Sequence, residues 1–232
     1  TDSAEAATTN RFNSFDSDGF QVEHSGGGNG FTNGASQTYV AWNWKANGGT
    51  TSSNSDGSIT STVQASTEAG FSIVLWNGEG DSQATVGHGL GAVPKVIIPK
   101  NRDATGNWHM YHAGVDASAP EDYGLLLNAN HARSDDSGFH NDTAPTSSVF
   151  TVGTYNNFDA DYVAYCFAEI EGYSKIDSYT GNGSTDGTFI YTGFRPAWIM
   201  SKGTTTVSNF YINDSVRSPF NPTNTPAGNL YA

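Results

Sequence analysis

The sequence predicts an all-β protein: two jelly-roll-like β-sandwich units related by an internal repeat, with permuted or shared strands. Three observations carry this reading. Short runs of β-branched and aromatic residues are bounded by Gly, Asn, Asp and Ser, as strands and their turns are. No segment sustains the 3.6-residue apolar period of a helix. The chain also repeats itself: FSIVLWNGEGDSQATVGHGLGAVPKVIIPK at 71–100 returns 102 residues later as YSKIDSYTGNGSTDGTFIYTGFRPAWIMSK at 173–202. A fixed period marks one structural unit used more than once.

Within that repeat Gly78 and Gly80 answer to Gly181 and Gly183, Gly89 to Gly193, Pro94 to Pro196 and Lys100 to Lys202. A second element recurs in the opposite order. FDSDGF at 15–20 and YVAWNWK at 39–45 match DDSGF at 135–139 and YVAYCFA at 162–168. The chain therefore begins with the second half of a unit and finishes with the first half of another. Residues 1–66 form one partial unit, 67–171 a complete sandwich and 172–232 another partial unit. Each leftover alone would expose strand edges and an apolar face, which natural proteins avoid. Three completions are open: closure of the leftovers on each other, strand addition between subunits, or membership of a longer multi-unit protein.

The elements follow in order. Strands are expected near 71–76, 85–88, 95–100, 108–112, 123–128, 148–152 and 162–170, a density that suits a sandwich or jelly roll. NRDATGNW at 101–108 reads as a hairpin loop whose Gly106 can take positive φ. TSSN and APED are the best short helical turns. Residues 46–58 are the most linker-like stretch, and SITSTV after it supplies an alternating edge strand.

Composition sets the boundaries. A chain of 232 residues buries enough surface to fold without staples. Ten Lys and Arg against 23 Asp and Glu, scattered, make no basic patch for nucleic acid. No apolar run of about 18 residues spans a membrane, and the first residues lack the pattern of a signal peptide. Cys166 is the one cysteine, so neither an intrachain disulfide nor a cysteine-built zinc site forms. It reads as a small core residue.

Several motifs together, YVAWNWK, STVQASTEAGFSIV, VGHGLGAVPKVIIPKNR, NWHMYH, NDTAPTSSVFTVG and residues 160–175, resemble a domain repeated in tandem in virion proteins of marine bacteriophages. The likeness runs from about residue 12 to 227. It implies a virion structural or host-attachment role, in an appendage, tail fibre or shell decoration, in a virion or extracellular setting. The implied partners are further copies of the chain, other virion proteins and host-surface glycans. The acidic, helix-poor, disulfide-free composition agrees with a protein made in a reducing cytoplasm that works outside it.

Candidate chemistry is weighed on the same footing. His88, in GHGLG, is the most tempting catalytic residue, but its counterpart in the second copy is Thr192. His109 and His112, three apart on an expected strand, point to opposite faces and share no metal. His24, His131 and His140 add no further pair. Glu169 and Glu171 would project from one strand face as a glycoside-hydrolase pair, yet the first copy lacks acids there. Calcium is the better ligand: Asp16 with Asp18, and Asp135 with Asp136, place oxygens on matching turns, where an ordinary Asx-turn also explains them. Trp42 and Trp44, with Tyr165 and Phe167 in the other copy, read as core more than as a sugar platform. The function expected is that of a non-enzymatic virion component working by self-assembly and surface recognition. The alternatives are a secreted carbohydrate-binding module and a glycoside hydrolase.

Overall fold

A computed structural model describes residues 2–5, 12–23, 32–39, 41–81, 83–216 and 230–231. The chain is all-β, with no α-helix among these residues. The strands are β1 (Phe12–Phe15), β2 (Phe20–Val22), β3 (Ser52–Asn54), β4 (Ser61–Ser66), β5 (Phe71–Asn77), β6 (Thr85–Gly87), β7 (Val96–Asn101), β8 (His109–His112), β9 (Tyr123–Leu126), β10 (Ser134–Asp135), β11 (Val149–Thr151), β12 (Asp161–Phe167), β13 (Trp198–Ser201), β14 (Tyr211–Asp214) and β15 (Leu230–Tyr231).

Glu5–Trp44 forms one compact unit, and Thr1–Ala4 with Lys45–Ala232 forms the other. In the smaller unit β1 and β2 make an antiparallel hairpin, closed where the Asp16 N–H donates to the Gly19 carbonyl at 2.9 Å.

The larger unit is built on an eight-stranded antiparallel sheet in the order β10-β9-β8-β7-β12-β5-β4-β3. Alternation along its strands decides what each face buries. Val63, Val74, Trp76, Ile97, Tyr111 and Ala164 point to one face, where they pack with Val86 and Phe150 of the β6–β11 pair. The Trp76 ring stacks on Tyr162 at 5.2 Å and meets Phe150 edge-on at 5.7 Å. The opposite face carries Val96, Ile98, Met110 and Leu125, covered by Phe210 with the partly buried Ile176 and Met200. Buried on both faces, β7 reads as a nearly continuous apolar run. Pro99 is tolerated inside it because β8 pairs only with Val96 and Ile97, so no ladder bond is lost on that side.

The C-terminal segment reproduces part of this geometry. β7 pairs with β8 through Val96↔His112 and Ile97↔Tyr111. Adding 102 to each gives Trp198↔Asp214 and Ile199↔Asn213, the register found between β13 and β14. The correspondence thus continues beyond Lys202 to NFYIND, which parallels NWHMYH. Equivalent glycines also share left-handed backbone: Gly70 and Gly172 at φ +62° and +75°, Gly80 and Gly183 at +81° and +67°, Gly89 and Gly193 at +69° and +81°.

Burial does not repeat. Val86 is 0% exposed and Ile190, its counterpart, 39%; Ile97 is 1% and Ile199 48%; Trp76 is 3% and Tyr179 59%. Residues 173–179, the counterpart of β5, hold no strand, and neither do 41–45, the counterpart of most of β12.

Several expectations are corrected. TSSN is not a helical turn, because Ser52–Asn54 pairs as β3 with Ser61, Thr62 and Val63 of β4. The linker-like stretch 46–58 therefore contains a strand, and β4 is interior to the sheet rather than an edge. APED does contain a short 3₁₀ turn, Pro120–Asp122. Gly106 caps its loop without positive φ, its N–H donating to the Asp2 carbonyl at 2.7 Å. Trp42 and Trp44 are exposed, where core positions were expected.

Candidate functional site

On the β8–β9–β10 side of the sheet a cleft of about 330 Å³ is lined by Asn107, His109, His131, Asp136, Phe139 and Tyr155, among others. β8 supplies His109, and the turn after β10 supplies Asp136 and Phe139. Tyr155 comes from a 3₁₀ turn, Thr154–Asn156. Gly124 lets the wall close: a Cβ there would lie 2.3 Å from the Phe139 ring. Phe139 stands edge-on to His109 at 5.1 Å and to Tyr155 at 5.5 Å.

The polar groups are held in defined states. Asn156 Nδ2 donates to the Phe139 carbonyl at 3.2 Å, which leaves its Oδ1 to accept from His109 Nδ1 at 2.7 Å. His109 is therefore protonated on Nδ1, and Nε2 keeps its lone pair. Burial pushes its pKa below the ordinary histidine value, outweighing the bond it donates to Asn156. The Tyr155 hydroxyl donates to Asp136 Oδ2 at 2.7 Å, while Asp136 Oδ1 accepts the Gly138 N–H at 2.8 Å. That hydrogen bond to a carboxylate raises the Tyr155 pKa. Aromatic faces beside fixed acceptors suit a hydroxyl-bearing ligand.

A family model described as a domain of unknown function, DUF7483, matches residues 1–230. The chain belongs to this family. No curated protein and no solved structure matches the chain.

Of the residues singled out in this DUF7483 chain, the cleft gathers His109, His131 and Asp136. Ser14 Oγ donates to Asp16 Oδ1 at 3.0 Å, Asp18 lies exposed in the β1–β2 turn, Asp135 pairs with Tyr123 across β10–β9, and Asp136 closes an Asx-turn onto Gly138. Among the described residues no three His, Cys, Asp or Glu side chains gather as a metal site.

His88 is buried, with both ring nitrogens engaged: Nδ1 accepts the Leu90 N–H at 3.2 Å and Nε2 donates to the Thr146 carbonyl at 3.2 Å. His112 lies on the opposite face of β8 from His109, where its Nδ1 accepts the Gly114 N–H at 3.0 Å. His24 lies outside the described residues. His140 is wholly buried, which drives its pKa down to about 3.

The glutamate pair is corrected. β12 ends at Phe167, so Glu169 and Glu171 share no strand face. Glu169 Oε1 accepts the Ile176 N–H at 2.6 Å and meets Lys175 Nζ at 3.2 Å, while Glu171 sits in the following turn. Cys166 is buried in the core, and burial raises its thiol pKa to about 12.

Sequence reasoning missed Tyr155 and Asn156. The DDSG turn flagged the oxygen-rich chemistry of Asp136. Nothing local in the sequence signals that a tyrosine 19 residues away supplies its proton donor.

Among the described residues no helix is long and apolar enough to cross a membrane.

Proposed function

We propose that this chain is a non-enzymatic structural component of a bacteriophage particle, an appendage, fibre or shell decoration that works by self-association and host-surface recognition. The observation that carries the reading is the contrast between equivalent positions. Val86 and Ile97 are core residues in the complete unit, while Ile190 and Ile199 face solvent in the partial one. Phe189, Ile190 and Tyr191 stand exposed in succession, and contiguous exposed apolar side chains mark surfaces that other chains cover. The motif resemblance to virion domains supports the same reading, and so does an acidic composition poor in cysteine. The engagement of His88 and Glu169 by the backbone favours structure over catalysis. Sedimentation velocity over a micromolar concentration series tests the reading. Discrete oligomers or filaments are expected, and a monomer throughout would overturn it.

A second reading, a carbohydrate-binding module, draws on the cleft, where Phe139 and Tyr155 offer ring faces beside Asp136. Calorimetric titration with host-type glycans tests this one. Binding by a chain that stays monomeric, lost in Tyr155→Ala, would favour the module over the particle component.

A further inference from the structure

The cleft beside β8, β9 and β10 carries a charge that nothing in it balances. Asp136 is the one formally charged side chain among the lining residues, with histidine counted as neutral. Among the described residues it enters no ion pair. Arg133, next in the chain to the lining residues Ala132 and Ser134, is engaged elsewhere: its guanidinium meets Asp116 at 2.6 Å and lies over the Tyr123 ring. The surroundings add to the negative field. The Asp136 N–H donates to the Asp122 carbonyl at 3.1 Å. Burial raises the Asp122 pKa, and the carboxylates of Asp142, Glu121, Asp135 and Asp116 raise it further. Such a field draws in cations and turns anions away.

The uncharged partners in the cleft are equally one-sided. Each Asp136 oxygen accepts one hydrogen bond, from Gly138 N–H or from the Tyr155 hydroxyl, and keeps a further lone pair. His109 donates through Nδ1 to Asn156, so Nε2 remains an acceptor. Tyr155 brings no donor, because its proton is committed to Asp136. Its ring is instead a fixed platform: the hydroxyl is tied down at one end, a Cβ on Gly138 would fall 2.5 Å from Cε2, and the residue is still 41% exposed. Donation to a carboxylate also pushes electron density into the ring, which strengthens its attraction for a cation at the face. One neutral donor stands at the rim. Asn107 Oδ1 accepts from Asn128 Nδ2 at 3.1 Å, which leaves Asn107 Nδ2 for a ligand.

We propose that this cleft binds an amino sugar through its ammonium group, which donates to Asp136 and lies against the Tyr155 ring. The sugar hydroxyls take the acceptor on His109 Nε2 and the donor on Asn107 Nδ2. A volume of about 330 Å³ stands at the small end of ligand sites and suits a single ring. A neutral sugar would leave the carboxylate unpaired, and an acidic one would meet a like charge. The proposal deepens the surface-recognition part of the function proposed above and rests on it, while self-association is independent of it.

Calorimetric titration of the full-length chain with glucosamine, glucose and N-acetylglucosamine tests the proposal, in low-salt, mildly acidic buffer that keeps the amine charged. Glucosamine should bind at least tenfold more tightly than either of the others, in which a hydroxyl or an amide replaces the ammonium. Asp136→Asn removes the charge and keeps an acceptor for the Gly138 N–H. It should lower glucosamine affinity at least tenfold, leave glucose affinity within about twofold, and keep the urea midpoint. Glucose binding as tightly as glucosamine would overturn the ammonium assignment and leave the cleft a sugar site. Glucosamine affinity unmoved by Asp136→Asn would overturn the assignment to this cleft. Binding of none of the three sugars would overturn both the proposal and the cleft as a recognition surface.

Discussion

The central unit and the C-terminal segment contain similar residues in similar order, and they end differently. Ile97 sits between β12 and β8 under the β6–β11 pair, whereas Ile199, on a strand that among the described residues pairs with β14 alone, is exposed. The turn glycines keep the same left-handed backbone in both copies, and the β13–β14 register equals that of β7–β8. Turns and hairpins are thus encoded locally. Burial is not: it depends on which elements from elsewhere in the sequence pack over a strand.

The largest expected effect separating the two regions is acid sensitivity. His88, His109, His112 and His140, whose pKa values burial lowers, all lie in the central unit. Their folded values fall below the unfolded value of about 6.5. Their contribution to stability is therefore complete above pH 6.5 and is lost as the pH falls through the folded values, down to about 3 for His140. Each ring still neutral in the fold loses about 1.4 kcal/mol per pH unit over that window. Urea midpoints at pH 7 and pH 4.5 should show a steep loss, and a flat profile would mean these rings are not held neutral.

Next comes core truncation. Ile97→Ala should cost about 3 kcal/mol, while Ile199→Ala should change the stability of the isolated chain by no more than about 0.5 kcal/mol. Equal losses in urea denaturation would break the comparison.

The glycines sharpen it. Gly78→Ala drives a Cβ onto the Phe158 carbonyl and should cost about 2 kcal/mol, against about 0.5 kcal/mol or less for Gly181→Ala. Thermal unfolding of the two variants distinguishes them.

The smallest effect is in the cleft. Tyr155→Phe removes the proton donor of Asp136 and should cost about 1 kcal/mol, with no change in the assembly.

Much of the fold was legible in the sequence where a strand and its partners lie close together. The run FSIVLWN became β5, VIIPKN β7 and HMYH β8, each within a residue or two of expectation, because alternation and flanking turns marked them. β3 was illegible: SSN has no apolar signal and becomes a strand only through its backbone pairing with β4. The C-terminal end of β12 was overextended because Ala168, Glu169 and Ile170 continue a strand-like pattern, yet Ile170 bridges back to Ser174 instead. Trp42 and Trp44 looked like core because rings, Tyr165 and Phe167, stand at the equivalent positions of the other copy; those two lie on β12 between β5 and β7, whereas Trp42 and Trp44 are exposed. The cleft was the least legible feature. His109, Asp136 and Tyr155 arrive from three separate elements; the sequence singled out His109 and Asp136 separately, and nothing in it joined them to Tyr155.

The central proposal is that self-association covers positions that are buried in residues 71–112 and exposed in residues 173–214. Amide hydrogen exchange at Ile199–Ser201 compared with Ile97, across a range of protein concentrations, tests it most directly. Protection at β13 should rise with concentration while that at β7 stays constant; protection at β13 that ignores concentration would contradict the account.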